Sequence, residues 1–158
     1  MIAVGPGLGA QADTRRMIRT LLTEPAFAPK ARAVILDADG LNAWEREPER
    51  LREVAARFGG KLILTPHEGE MARLTGMPAA EIHADRASAA GRLATELSGA
   101  WVVLKGSGTV VTNGDTAWRN TTGNAGMATG GSGDVLTGMI AGLAATDGKT
   151  TDTGMLTR

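Results

Sequence analysis

Four short apolar runs, at residues 2–4, 33–37, 61–65 and 101–105, are each bounded by Gly, Pro or Asp, and stretches of helical length separate them. That alternation constrains the fold more than any other feature. Runs too short for a buried helix read as strands, and the spacers carry helical periodicity. Met17, Ile18, Leu21 and Leu22 recur at i, i+1, i+4 and i+5. After Pro48, suited to a first helical turn, Leu51, Val54, Ala55 and Phe58 form one stripe that Gly59-Gly60 ends. Between 84 and 97, Leu93, Ala94 and Leu97 form another, with Gly99 as the stop. The order predicts an α/β fold with a mainly parallel sheet and helices on both faces. Runs at 109–112 and 116–119 flank Asn113-Gly114, the dipeptide of a type I′ turn, and predict a late hairpin. One domain is expected over residues 1–146, followed by a polar, disordered tail at 147–158.

Composition removes several function classes. Seventeen basic residues balance seventeen acidic ones without a run of either sign, so nucleic-acid or anionic-membrane binding has no electrostatic support. The absence of cysteine excludes disulfides, thiolate catalysis and Cys-based zinc, and fits a reducing, cytoplasmic setting. No apolar run approaches a membrane span, and the N-terminus lacks a basic leader region. Glycine is the outlier, at 22 of 158 residues, about twice the usual share of roughly 7%.

The glycines and the polar residues gather at strand ends, where open α/β sheets place their ligands. Gly5-Pro6-Gly7-Leu8-Gly9 follows the first run and Asp37-Ala38-Asp39-Gly40-Leu41-Asn42 the second. Thr65-Pro66-His67-Glu68-Gly69-Glu70 follows the third and Lys105-Gly106-Ser107-Gly108 the fourth.

The clearest chemistry lies later. Gly130-Gly131-Ser132-Gly133-Asp134 opens a helical pattern with apolar positions 135, 136, 139, 140, 143 and 144. A small-residue face, Gly138, Ala141, Gly142 and Ala145, is expected to pack closely. Free N–H groups and the helix dipole make such a start an anion site. Asp134 is the only formal charge between Asn120 and Thr146. A carboxylate there competes with a bound anion. It reads either as a helix cap or as a general base that takes a proton from a hydroxyl attacking a phosphoryl group. The charge-poor, glycine-rich setting favours the base.

These blocks resemble a known family. Asn124 to Gly138, with Asn-Ala-Gly-Met-Ala-Thr-Gly-Gly-Ser-Gly-Asp at its start, is similar to the signature of the ADP/ATP-dependent NAD(P)H-hydrate dehydratases of the ribokinase-like superfamily. Val4-Gly-Pro-Gly-Leu-Gly9, Leu36-Asp-Ala-Asp-Gly-Leu-Asn42, Leu64-Thr-Pro-His-Glu-Gly-Glu70 and Val103-Leu-Lys-Gly106 agree in order and spacing. The resemblance implies dehydration of the (6S) hydrate of NADH or NADPH, with ADP or ATP and Mg²⁺, through phosphorylation of the hydroxyl and elimination. It implies that Gly7, His67 and Asp134 contact the hydrate, and that Lys105, Gly106, Ser107, Gly108, Thr109, Gly131, Ser132 and Gly133 hold the adenine nucleotide. Asn42 and Glu70 match positions near phosphates and metal, and no residue is assigned as a metal ligand. It also implies a homo-oligomer, commonly a tetramer, and a partial domain lacking the family's N-terminal strands and C-terminal helix. The family proline after Asn124 is Ala125 here.

Smaller features carry alternatives. Gly5 to Gly9 has the wrong spacing for a dinucleotide fingerprint, and Pro6 lacks an N–H; close approach of a ligand accounts for three glycines better than a turn does. Asp37 and Asp39 read as a Mg²⁺ or ribose pair, or as caps. His67 and His83 form no zinc motif, and His83 reads as a solvated helix residue. Lys105 reads as a solvated strand end unless the resemblance holds. Trp101 is expected in the core, with Trp44 and Trp118 half-buried. A small-molecule kinase of the same superfamily, of hydroxyethylthiazole or hydroxymethylpyrimidine type, and an inactive nucleotide-binding fragment are the rival functions. Thr65-Pro66-His67 and residues 124–129 favour the dehydratase.

Overall fold

The computed structural model describes residues 1–25 and 31–146. The tail expected at 147–158 lies outside the described residues. Six strands form one sheet in chain order: β1 (Ile2–Val4), β2 (Val34–Leu36), β3 (Leu62–Leu64), β4 (Trp101–Leu104), β5 (Val110–Thr112) and β6 (Ala117–Arg119). The first four pair in parallel, and β4-β5-β6 run antiparallel. β2 and β3 are buried along their whole length. This is what a run of β-branched and leucine residues without alternation requires.

The crossovers contain α1 (Ala12–Thr23), α2 (Asp39–Asn42), α3 (Pro48–Phe58), α4 (Glu68–Thr75), α5 (Ala79–Ala84) and α6 (Arg86–Glu96). The parallel strands follow one another in chain order, so right-handed crossovers must put every connecting helix on the same face. They do. Ile18 and Leu22, Leu51, Val54, Ala55 and Phe58, Met71, Leu74, Ile82 and Leu93 share one core with Val34, Leu36, Leu62, Leu64, Val102 and Leu104. The predicted helix boundaries at Pro48 and Phe58 hold, and Pro48 stands in the first turn as its fixed φ favours. Trp44 is fully buried in this core, not half-buried, with the Arg19 guanidinium 5.8 Å from its ring centre.

The opposite face carries a smaller core of Ala33, Ile35, Ile63, Trp101, Val103 and Val111. Among the described helices only α7 (Ser132–Thr146) covers it. Helices thus lie on both faces as expected, in very unequal number. The face that α7 buries differs from the expected one. Thr137, Ile140 and Ala144 are buried, whereas Gly138 and Gly142 are exposed and a Cβ at either would meet nothing within 4 Å. The glycine stripe is therefore not the packing surface. Val135, Met139 and Leu143 are 62%, 60% and 56% exposed, so half of the apolar pattern points outward.

The hairpin forms, but with another tip. Thr112 pairs with Ala117, which leaves a four-residue connection closed by Asn113 N–H donating to the Thr116 carbonyl at 3.3 Å. Gly114 has φ +96° and Asn113 is not left-handed. A type I′ turn needs positive φ at both residues of the dipeptide, so Asn113-Gly114 is not one. Asn113 instead flanks the turn, its Oδ1 accepting from Asp115 and Thr116 N–H.

Candidate active site

The carboxyl ends of β2, β3 and β4 meet the first turns of α7, and the polar residues there form one cluster. Asp37, 1% exposed, follows β2. Its Oδ1 accepts from Lys105 Nζ at 2.6 Å, and its Oδ2 from the Thr137 hydroxyl at 2.9 Å. Lys105 follows β4 and is also 3.7 Å from Glu70 on α4. A charge this deeply buried requires a counter-charge and hydrogen bonds, and both are present. Lys105 is thus an ion-paired residue of the site rather than a solvated strand end.

Ala38, between the two aspartates, has φ +44° and ψ −115°. Non-glycine residues rarely adopt such a backbone, and it costs on the order of 1–3 kcal/mol. The kink sends neighbouring carboxylates to different partners. Asp37 joins Lys105, while Asp39 Oδ2 accepts from Gly9 N–H at 2.8 Å. Asp37 and Asp39 therefore form no pair. Among the described residues no three His, Cys, Asp or Glu side chains gather as a metal site, so these side chains alone do not build one.

Gly5 after β1 and Gly40 after β2 serve packing of one loop on another. A Cβ at Gly5 would lie 1.6 Å from the Asp37 carbonyl oxygen, and one at Gly40 would lie 2.2 Å from that of Val4. The close approach expected from a ligand is made, at Gly5, by the chain itself. Gly7 differs: it is exposed and left-handed at φ +77°, with open space where a Cβ would stand.

His67 caps α4. Its Nδ1 accepts from the N–H groups of Gly69 and Glu70 at 3.0 and 3.2 Å, and Glu70 Oε2 accepts from His67 N–H at 2.7 Å. This is a capping box with histidine in the usual Ser or Thr role. With Nδ1 accepting, the neutral ring carries its proton on Nε2. The side chain remains about half exposed. His67 also bridges to Lys105 in the backbone, where Lys105 N–H donates to the Pro66 carbonyl at 2.8 Å. Asn42 sits apart, its Oδ1 accepting from Arg73.

The start of α7 borders the cluster. A Cβ at Gly133 would lie 3.5 Å from Lys105 Nζ and 3.7 Å from Asp37 Oδ2. Of the amides expected to be free, that of Ser132 donates to the Thr129 carbonyl. Those of Gly133 and Asp134 have no acceptor among the described residues. Asp134 is exposed in the first turn, and its carboxylate makes no hydrogen bond or ion pair among the described residues. It does not cap the helix through its side chain. Gly106 and Gly108 shape the loop between β4 and β5, where Thr109 Oγ1 donates to the Gly106 carbonyl at 2.9 Å. His83 is solvated as expected, but it also pairs with Glu68.

The fold class follows from solved structures. A ribokinase-like superfamily protein of Enterococcus faecalis matches 98% of this chain and 51% of its own at a TM-score of 0.74 and 28% identity. The chain belongs to the NAD(P)H-hydrate dehydratase family, whose model matches residues 1–156. It is similar to the ADP/ATP-dependent NAD(P)H-hydrate dehydratase of Bacillus subtilis, co-crystallised with ATP/Mg²⁺ and soaked with CoA, at 36% identity and a TM-score of 0.68. That match covers 90% of this chain and 47% of the other. It is 46% identical over 144 residues to the bifunctional NAD(P)H-hydrate repair enzyme Nnr of Thermofilum pendens, covering 90% of this chain and 26% of that protein. The chain thus spans a quarter to a half of the length of these three proteins.

Proposed function

We propose that this chain carries the catalytic centre of an ADP- or ATP-dependent NAD(P)H-hydrate dehydratase that restores NADH or NADPH from the (6S) hydrate. One observation supports the reading above others. Asp134 is the carboxylate left unpartnered beside free amides at the start of α7, while nearby Asp37 and Glu70 are buried and partnered. A base must keep a lone pair available, and a phosphate needs unclaimed N–H groups.

In this reading Gly131, Ser132, Gly133 and the 105–109 loop hold the nucleotide's phosphates. Gly7 and His67 border the hydrate, with His67 presenting Nε2–H. Asp134 accepts the proton of the hydrate hydroxyl as its oxygen attacks the terminal phosphoryl group. The phosphate ester then leaves as inorganic phosphate while the neighbouring ring carbon loses a proton, which restores the double bond. Asp37 and Lys105 act as a rigid floor. A magnesium ion would accompany the nucleotide's phosphates and neutralise their charge; the family resemblance puts Asn42 and Glu70 nearest it, and no step here depends on it. A cytoplasmic location and a homo-oligomer, a tetramer by family resemblance, belong to the same reading.

Incubation with ADP and chemically hydrated NADH tests it. Recovery of the reduced nicotinamide's absorbance, with release of AMP and inorganic phosphate, is expected. A stable phosphorylated product would instead make the chain a small-molecule kinase. Nucleotide binding without turnover would make it a binding module.

A further inference from the structure

We infer that Arg119 supplies the free positive charge that neutralises the phosphate chain of a nucleotide bound at the 105–109 loop, so that the site prefers nucleoside polyphosphates to nucleosides. This rests on the nucleotide reading of that loop given above.

The inference comes from a charge balance. Lys105, the cation at the start of the loop, is held between Asp37 at 2.6 Å and Glu70 at 3.7 Å. Arg86 reaches the loop from below, with both Nη atoms 2.9 Å from where a Cβ of Gly106 would stand. It is neutralised by Glu68 and also donates to the Leu104 carbonyl at 2.8 Å. Arg73 has no carboxylate partner among the described residues, but it lies on α4 and donates to the neutral amide oxygen of Asn42. The phosphate chain of a nucleotide would therefore meet a loop whose two adjoining cations, Lys105 and Arg86, are already paired with carboxylates, with the Asp134 carboxylate nearby.

Arg119 is the exception. It ends β6, is exposed, and has no carboxylate partner among the described residues. Its guanidinium nevertheless lies against the loop: Nε and Nη2 stand 2.5 and 2.9 Å from the ideal Cβ position of Gly108. Gly108 is glycine for two reasons, its φ of +65° and the space that Arg119 occupies. Asn120 N–H donates to the Thr109 carbonyl at 2.8 Å, which ties the end of β6 to the same loop. The amides of Ser107 and Gly108 have no acceptor among the described residues. An unpaired guanidinium beside unpaired amides is the arrangement that recognises a phosphate oxygen.

The test measures ADP and adenosine affinity by calorimetry for the wild type, Arg119→Gln and Arg119→Lys, with the melting temperature of each. Gln keeps a polar, hydrogen-bonding side chain without the charge; Lys keeps the charge. Arg119→Gln should weaken ADP by about tenfold or more, as losing a charged hydrogen bond does. Adenosine affinity and melting temperature should not change, and Arg119→Lys should recover most of the loss. Unchanged ADP affinity in Arg119→Gln would overturn the inference, as would an equal loss for ADP and adenosine. A wild type that binds neither ligand would overturn the nucleotide site itself, and this inference with it.

Discussion

The ammonium of Lys105 at the end of β4 lies 2.6 Å from the carboxylate of Asp37 at the end of β2, reaching past β3, which separates those strands in the sheet. One ion pair thereby fixes the strand ends relative to one another, and Thr137 attaches α7 to the same carboxylate. The two partners are not equivalent. The side chain of Asp37 is 2% exposed and that of Lys105 is 20% exposed, with Glu70 as a second neighbour.

That asymmetry orders two variants. Lys105→Met leaves a buried carboxylate uncompensated and should cost about 3–5 kcal/mol in urea unfolding. Asp37→Asn keeps an acceptor for Thr137, and Lys105 falls back on Glu70, so the cost should be smaller. A larger cost for Asp37→Asn would show that Lys105, rather than Asp37, is the trapped charge.

Glycines separate by what surrounds them. Gly5→Ala places a methyl group 1.6 Å from the Asp37 carbonyl oxygen and should abolish the native fold. Gly7→Ala meets open space at φ +77° and should cost only about 1 kcal/mol of left-handed strain. Circular dichroism melts of the two variants check this, and similar melting temperatures would contradict it.

Helix α7 gives a comparable pair. Gly142→Leu lies on the exposed face and should leave stability unchanged or raise it by up to about 1 kcal/mol through helix propensity. Ile140→Ala removes a buried side chain that contributes to the smaller core and should cost about 2–5 kcal/mol. Denaturant titration distinguishes them. A destabilised Gly142→Leu would show that the glycine stripe is packed in solution.

Glu68 sets an acid-side dependence. Burial pushes its carboxyl pKa up, but the hydrogen bonds from His83 and Arg86 outweigh that and hold it below its ordinary 4.5. A lowered folded-state pKa contributes stability that is present above the unfolded value and lost as pH falls through the folded one. Stability should therefore decline below pH 4.5, and Glu68→Gln should flatten that decline. An identical acid limb in Glu68→Gln would remove the pair from the account.

The centre of the sheet was legible in the sequence because β2, β3 and β4 are buried along their whole length, and such strands are apolar without alternation. The late hairpin was legible for another reason, since β6 is exposed: two strand-like runs flank a turn dipeptide, though its tip was not legible. Asn113-Gly114 satisfies a dipeptide rule, whereas the register between Thr112 and Ala117 is set by the sheet. The packing face of α7 was misread because Gly138 and Gly142 suggest close approach only when a neighbour exists to approach them. Thr137 went unnoticed, although a hydroxyl in an apolar helix asks for an acceptor, and its acceptor lies a hundred residues away at Asp37. Arg119 gave no local signal, since its significance comes from the pairing of Lys105 and Arg86 with carboxylates at the same loop.

Asp134→Asn tests the catalytic assignment most directly. The variant keeps the shape of the side chain and removes its basic lone pair, and Asn can still occupy the first turn of a helix. The measurement is ADP-dependent recovery of reduced nicotinamide from chemically hydrated NADH, with ADP affinity determined on the same samples. The account predicts that ADP affinity persists while turnover falls by roughly 10²–10⁴-fold, as expected for loss of a positioned base. Turnover near that of the wild type in Asp134→Asn would contradict it.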